Sequence, residues 1–396
     1  MTELIERTWA QIDLNAVAYN IKAYKTRLKN GCMIMAVIKA NAYGHGDIQI
    51  ARCCIENGVE WLAVSNIGEA VRLRKANINA PLLILGYTPA ANAHLLWEHS
   101  ITQAAISYEY AKQLASVAHM QNKSIDVHIK IDSGMHRVGI SADERDIESS
   151  SEQILEISRM SGINITGVFT HFCSSDEKRQ DSVDYTLGQF DRFNRLISLC
   201  EQKGINLGIK HCSNSAAITS YPQMNLNMVR LGISLYGMPP SDEMNGDIEL
   251  KRVMSLYSSV SMVKTIEKGE PVSYGRTFTA TQKMRVATVS IGYADGYHRV
   301  LSNKARMLVN GKFARVLGRV CMDQLVIDVT DIENVKCGDI VCVFGRQGEN
   351  EITCDELARL AGTINYEIVC AIAQRVPRAY VKDSQIIEVD DYLNYQ

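Results

Sequence analysis

The chain is predicted to be an α/β protein, an N-terminal (β/α)8 barrel of the TIM type followed by a mostly antiparallel β-domain. Three observations carry this. Eight short apolar runs alternate with helical stretches between residue 33 and about residue 236. A linker rich in Pro, Gly and acid, PPSDEMNGD, follows at 239–247. Beyond it the apolar runs become longer and β-branched. The expected division is 1–240 for the barrel and 241–396 for the β-domain, with about the first dozen residues pairing with the latter. A chain of 396 residues accommodates two such domains.

Taken in order, the first helix fits NAVAYNIKAYKTRL, with Asp13 or Asn15 as its N-cap. The eight runs are MIMAVIK (33–39), VEWLAVS (59–65), PLLILG (81–86), ITQAAIS (101–107), IDVHIKID (125–132), ITGVFTH (165–171), LGIKHCS (207–213) and VRLGISLYG (229–237). Runs this continuously apolar belong to parallel strands buried on both faces. Their number favours closure into a barrel, although periodicity alone also fits an open doubly wound sheet. After the linker come VMSLYSSVSMVKTI, MRVATVSIGYA, ARMLVNGKFARVLGRV, DQLVIDVT and DIVCVFG. The Asn-Gly within MLVNGKFARV predicts a hairpin, and CDELARLAG (354–362) a short helix.

Composition narrows the function. The chain is 46% hydrophobic and 22% charged, which suits a large buried core. A net charge of −2 argues against a nucleic-acid or anionic-membrane partner. No apolar run reaches the roughly 20 residues of a membrane span. The opening MTELIERTWAQIDL has charges where a signal peptide needs its apolar segment, so a cytoplasmic enzyme is expected. Eleven scattered cysteines without a C-x-x-C pair are expected as reduced thiols, with no metal site.

Catalytic groups of a barrel sit at the C-terminal ends of its strands. Lys39 ends the first run. The fifth carries Lys130, with Arg137 just beyond it. The sixth ends in His171, the seventh runs into Ser213, Asn214 and Ser215, and the eighth contains Arg230 and Gly232. Taken singly, such a lysine reaches for water and such a histidine is a satisfied strand end. Together they make a cationic mouth, suited to a ligand with phosphate and carboxylate groups. A lysine crowded by other cations has a depressed pKa and becomes a usable amine nucleophile.

AVIKANAYGHG (36–46) resembles the cofactor-lysine signature of the alanine racemase family. The resemblance continues through IKIDSGMHRVG, GVFTHF, SNSAA, NMVRLGISLYG, VSYGRTF, SIGYADG, CMDQ and INYE, covering all but about the last dozen residues. It implies pyridoxal 5'-phosphate as cofactor, carried on Lys39. It also implies contacts to that cofactor from Tyr43, His171, Asn214, Ser215, Arg230, Gly232, Ile233 and Tyr366. Arg137 would meet the substrate carboxylate, and Lys130 matches a position often carbamylated in the family. Tyr274 would be a second catalytic base, while Tyr293, Met322 and Asp323 would line the substrate entrance. In the family these last four come from the partner subunit, so a homodimer with shared active sites is implied. A D-alanine supply for the cell wall is the implied role. Two departures stand out: Asn41 replaces a common Asp, and His136 a common Gly. Neither carries a proton, so small effects are expected.

Racemisation removes the α-proton from one face and returns one to the other, which two acid–base groups on opposite faces do directly. Lys39 and Tyr274 fill these roles. Tyrosine, with a reference pKa of about 10, needs nearby positive charge to act as a base. Singly, Tyr293 and Tyr366 would read as packing tyrosines and Met322 as core filler. The expected substrate is alanine, and serine or another small amino acid on the same machinery is the alternative. A non-catalytic pyridoxal-phosphate-binding barrel would share the lysine but needs no second base. A decarboxylase on this fold lacks support, because neither a glycine-triplet phosphate loop nor an acidic partner for the pyridine nitrogen is found.

Overall fold

A computed structural model describes residues 7–244 and 246–392. It divides into two compact units, one comprising residues 17–42 and 47–251, the other 1–16, 43–46 and 252–396. Residues 1–6, which the expectation about the N-terminus included, lie outside the described residues.

The strands and helices that build the first unit follow the predicted runs. Strand β1 (Thr8–Asp13), which belongs to the second unit, leads into α1 (Leu14–Lys25). Asp13 rather than Asn15 caps that helix, its Oδ1 accepting from the amides of Asn15 and Ala16 at 2.8 and 3.1 Å. The barrel strands are β2 (Met33–Val37), β3 (Trp61–Val64), β4 (Leu82–Ile84), β5 (Thr102–Ala105), β6 (Ile125–Asp132), β7 (Ile163–Phe169), β8 (Ile209–His211) and β9 (Met228–Leu231). Between them run α2 (Asp47–Glu56), α3 (Ile67–Lys75), α4 (His94–Glu98), α5 (Tyr108–Met120), α6 (Ile147–Arg159), α7 (Gln180–Gln202) and α8 (Ser215–Ser220). All neighbours pair in parallel in the order β9-β2-β3-β4-β5-β6-β7-β8. Backbone bonds from Asn227 to Lys210 and from Arg230 to Ser213 then join β9 to β8, which excludes the open sheet. Ile34, Leu62, Leu83, Val127 and Ile129 are fully buried, as strands covered on both faces require.

Strands β6 and β7 are as long as their apolar runs, whereas the other six are two to five residues shorter, because those runs continue into the flanking loops. Gly232 consequently lies just beyond β9, at the start of the short 3-10 turn Ile233–Tyr236, rather than within the strand. Pairing of β6 with β7 shifts register between Val127 and His128. Opposite that shift stands Gly167, where a Cβ would lie 2.6 Å from the His128 ring.

The second unit is built on one ten-stranded sheet. Its further strands are β10 (Met254–Ile266), β11 (Met284–Val289), β12 (Arg306–Val309), β13 (Lys312–Leu317), β14 (Leu325–Asp328), β15 (Ile340–Gln347), β16 (Asn350–Ile352), β17 (Arg378–Lys382) and β18 (Gln385–Asp390). They order as β16-β15-β12-β13-β14-β11-β10-β1-β17-β18, antiparallel except where β1 meets β17. The Asn-Gly turn falls between β12 and β13, with Asn310 and Gly311 at φ of 50° and 73°. The expected helix is α9 (Cys354–Ala361), capped by Thr353 and closed by left-handed Gly362. A second one, α10 (Asn365–Cys370), follows it and was not expected. All eleven cysteines are free thiols. Among the described residues no helix is long and apolar enough to cross a membrane.

Candidate active site

In the barrel, Lys39 stands two residues past β2, half-buried, at the head of an unusual segment. Ala40, Asn41, Ala42 and Tyr43 all have φ of 52–53°, so the chain makes a full left-handed turn without a glycine in it. Each such residue costs roughly 1–2 kcal/mol from crowding of Cβ against the carbonyl. The turn is stitched locally. The Ala42 amide donates to Ile38 at 2.9 Å, and the Asp47 amide to the Asn41 side chain at 3.0 Å. Asn41 thus holds the turn it belongs to, a role its amide oxygen serves as an aspartate oxygen would.

Lys130, at the end of β6, is 5% exposed. Its Nζ donates to the Ile131 carbonyl at 2.6 Å and lies 5.6 Å from the centre of the Phe169 ring. Burial, reinforced by Arg230, pushes its ammonium down to about 7. Arg230 on β9 is also buried. It donates to the carbonyls of Thr170 (2.8 Å), Cys212 (2.9 Å) and His211 (3.3 Å), to His211 Nδ1 (2.9 Å) and to His171 Nδ1 (3.2 Å). Burial brings its guanidinium down to about 10, still charged at neutral pH.

These bonds fix the histidines. Arginine only donates, so His171 and His211 must accept at Nδ1 and carry their protons at Nε2. His211 Nε2 then donates to His128 Nδ1 at 2.9 Å. Burial, then the charge of Arg230, keeps both His171 and His211 well below the usual imidazole range. Lys130, Arg137 and Lys39 add to the effect on His171, which puts four cations within electrostatic reach of one neutral ring. Sequence reasoning missed His128 and His211; a histidine inside a buried strand was the available signal.

Arg137 is exposed, in a loop whose start is organised by Asp132, whose Oδ1 accepts from the amides of Gly134, Met135 and His136 at 3.0 Å each. His136 adopts φ of 54°, which explains why glycine suits that position. Asn214 caps α8 by accepting from Ala217, and it also accepts from Ser175. Ser215 Oγ accepts the Gly232 amide at 2.8 Å, so two of the expected cofactor contacts meet one another, with Ile233 buried next in the chain.

In the second unit, Tyr43 and Tyr366 bring their rings to 6.0 Å. Tyr43 is buried and its hydroxyl is pushed well above the usual phenol range. A Cβ at Gly44, which has φ of 82°, would strike the Val369 carbonyl, so only glycine lets the chain pass there. Tyr274 is 70% exposed at the tip of a hairpin in which Pro271–Val272 pairs with Phe278–Thr279. Its turn is tight, with Ser273, Gly275 and Arg276 all at positive φ. Ser273 Oγ donates to the Arg319 carbonyl at 2.6 Å, and Val272 beneath belongs to the cluster with Ile266, Met284, Val286 and Leu317.

The same 319–323 segment receives Tyr293, whose amide donates to Cys321, and Ala294, whose amide donates to Met322, both at 3.0 Å. Tyr274, Tyr293, Met322 and Asp323 are therefore tied into one edge. Behind it stands Asp295, fully buried, accepting from Arg7 at 3.0 Å, Arg375 at 2.9 Å and the Gly292 amide at 2.9 Å. Arg375 continues to Asp323 at 2.6 Å. Neither Asp295 nor Arg375 was singled out in advance, although the aspartate sits within SIGYADG.

The donor set of the barrel is cationic and amide-rich, and it fits an anionic ligand carrying phosphate and a carbonyl that an amine can attack. Among the described residues no group of three His, Cys, Asp or Glu side chains could hold a metal.

Comparison with known proteins agrees across the whole chain. Residues 12–240 match the model of the alanine racemase N-terminal domain, and residues 253–380 that of the alanine racemase C-terminal domain. An alanine racemase of Clostridium perfringens is 44% identical over 390 residues, which is 98% of this chain and 99% of that one. The structure of the alanine racemase of Clostridium difficile 630 superposes with a TM-score of 0.93 at 37% identity, covering 99% of this chain and 100% of the other. The histidine racemase of Leuconostoc mesenteroides subsp. sake gives 0.85 at 29% identity, covering 96% and 100%.

Proposed function

Because the chain belongs to the alanine racemase family and is an amino-acid racemase, an isomerase, we propose that it interconverts L- and D-alanine through two bases, Lys39 and Tyr274. The observation that carries the reading is the cluster of Lys39, Lys130, Arg137 and Arg230 around neutral His171.

Pyridoxal 5'-phosphate, when bound, supplies an electron sink that acidifies the substrate's α-proton. Lys39, Tyr43, His171, Asn214, Ser215, Arg230, Gly232, Ile233 and Tyr366 would hold it. Arg230, a permanent donor, would face the pyridine nitrogen of that group, oppose its protonation and so work against side reactions such as transamination. Arg137 takes the substrate carboxylate. Lys39 Nζ and the Tyr274 hydroxyl each remove or return a proton at Cα, on opposite faces. The exposure of Tyr274 suits delivery to a partner subunit's barrel, so we read the enzyme as a homodimer with shared sites. Tyr293, Met322 and Asp323 would line the entrance beside it.

With its ammonium brought down to about 7, Lys130 is a free amine for a substantial fraction of the time near neutral pH. That amine can add to carbon dioxide, forming an N–C bond and releasing a proton. The carbamate so formed is an anion that would orient Arg137.

Purified protein incubated separately with L-alanine and L-serine, then resolved by chiral chromatography, tests the proposal. D-alanine should accumulate to an equal mixture, and its absence in the presence of pyridoxal phosphate would reject the reading.

A further inference from the structure

The left-handed turn after Lys39 has a partner that the chemistry above does not use. Helix α3 begins Asn66-Ile67-Gly68-Glu69, the spacing of a capping box, in which the glutamate reaches back to the amide of its own cap. Half of the box is present, since Asn66 Oδ1 accepts the Glu69 amide at 3.0 Å. The Glu69 carboxylate is spent elsewhere. One oxygen accepts the Ser65 amide at the end of β3, at 2.7 Å. The other accepts the Ala40 amide, 29 positions away in sequence, also at 2.7 Å.

Ala40 is the first of the four left-handed residues. The same helix holds the far end of the segment. Arg72 Nε donates to both oxygens of buried Asp47 at 3.0 and 3.2 Å, and the Asp47 amide is the one bonded to Asn41. Glu69 and Arg72 lie three residues apart, on neighbouring positions of one helix face. Of the turn's residues only asparagine visits φ near +52° readily, and alanine and tyrosine do not. Released at Ala40, the turn would relax toward the right-handed region, rotating the peptide that follows Lys39.

We infer that Glu69 is a positioning residue for racemisation: by holding the Ala40 amide it fixes the left-handed turn, and with it the direction in which the Lys39 side chain leaves the barrel strand. This rests on the reading of Lys39 as the amine that carries cofactor and proton. The residue type follows from the partners. The Ser65 and Ala40 amides bond to different oxygens of the carboxylate, and a glutamine of the same shape would turn an N–H2 toward one of them.

Glu69→Gln is therefore the test, made in the natural chain and in an Ala40→Gly background, with both enzymes loaded with pyridoxal phosphate. In the natural chain kcat should fall roughly tenfold, as loss of one charge-assisted hydrogen bond implies, with KM little changed. Glycine takes positive φ without the Cβ clash, so in the Ala40→Gly background the loss should shrink to roughly threefold or less. Hydrogen–deuterium exchange on the cofactor-free chain gives a second readout: the amides of Ala40 and Asn41 should exchange faster in Glu69→Gln. Natural turnover by Glu69→Gln, an equal loss in both backgrounds, or unchanged exchange in the turn would each overturn the inference. Borohydride fixation and peptide mapping separate the two failures. Cofactor on another lysine removes the reading of Lys39 itself, whereas cofactor on Lys39 with natural turnover in Glu69→Gln removes only the role of Glu69.

Discussion

Replacing Lys130 with methionine should stabilise the cofactor-free protein in buffer stripped of carbon dioxide, most of all below pH 7. In the fold the Lys130 ammonium titrates at about 7, because burial and Arg230 disfavour its charge; in the unfolded chain it titrates near its ordinary 10.5. The unfolded chain therefore binds more protons throughout that window, so stability rises with pH across it. Below pH 7 the penalty is complete, on the order of 5 kcal/mol at 1.36 kcal/mol per pH unit, and it fades as pH approaches 10.5. Methionine fills similar volume without the charge. The Ile131 carbonyl that Nζ leaves behind still accepts from Thr170 Oγ1 at 2.9 Å, so no acceptor is orphaned. Urea denaturation at pH 6 and at pH 9.5 should show a gain of several kcal/mol for Lys130→Met at the lower pH and a smaller one at the higher. Bicarbonate should stabilise the natural chain by forming the carbamate and leave Lys130→Met unaffected. A variant less stable than the natural chain at pH 6 in stripped buffer would refute the reasoning, since it would mean that Lys130 contributes favourable interactions as a cation.

Tyr274→Phe should lower kcat by roughly 10²–10⁴, the usual worth of one acid–base group, while borohydride still fixes cofactor to Lys39; near-natural turnover would exclude the two-base scheme. Mixing inactive Lys39→Ala with inactive Tyr274→Phe should restore up to about a quarter of natural activity, because one site in each mixed dimer holds both natural residues. Efficient subunit exchange without recovery would mean that each site is built from one chain. The retained Tyr366 leads us to expect alanine as the better substrate, with serine disfavoured by about a hundredfold or less. Tyr366→Asn should raise the serine-to-alanine ratio of kcat/KM, and a natural preference for serine would reject the expectation.

The barrel strands were legible because they are short apolar runs such as PLLILG and IDVHIKID, which read as parallel strands buried on both faces, whereas closure over an open sheet rests on the backbone bonds that join β9 to β8. What was hidden has particular causes. Helix α10 is six residues long, too short to display a helical period. The segment KANAY has the composition of a right-handed helix, and nothing local signals four consecutive residues at positive φ. It is bonded to Asp47 close by and to Glu69, which only the fold brings to Ala40. Asp295 gathers Arg7 and Arg375 from opposite ends of the chain, and such a cluster has no spacing to recognise. Tyr274 could be placed as a base only by resemblance, whereas the tautomers of His171 and His211 follow from the Arg230 hydrogen bonds.

Strand β1 sits inside the ten-stranded sheet, with Thr8 opposite Ser258 on one side and Ala10 opposite Arg378 on the other. Order of manufacture therefore conflicts with order of assembly. Thr8 leaves the ribosome 250 residues ahead of the first partner it will hydrogen-bond, a wait of roughly 10–50 s at ordinary translation rates. Throughout that interval a buried-type strand, TWAQID, is exposed with both its edges open, the state most prone to pairing with a stranger. Its second partner, β17, emerges only near the end of synthesis. A break in the linker would not yield two autonomous halves: the later piece would lack a strand from the middle of its sheet, and the earlier piece would keep that strand with nothing to pair it.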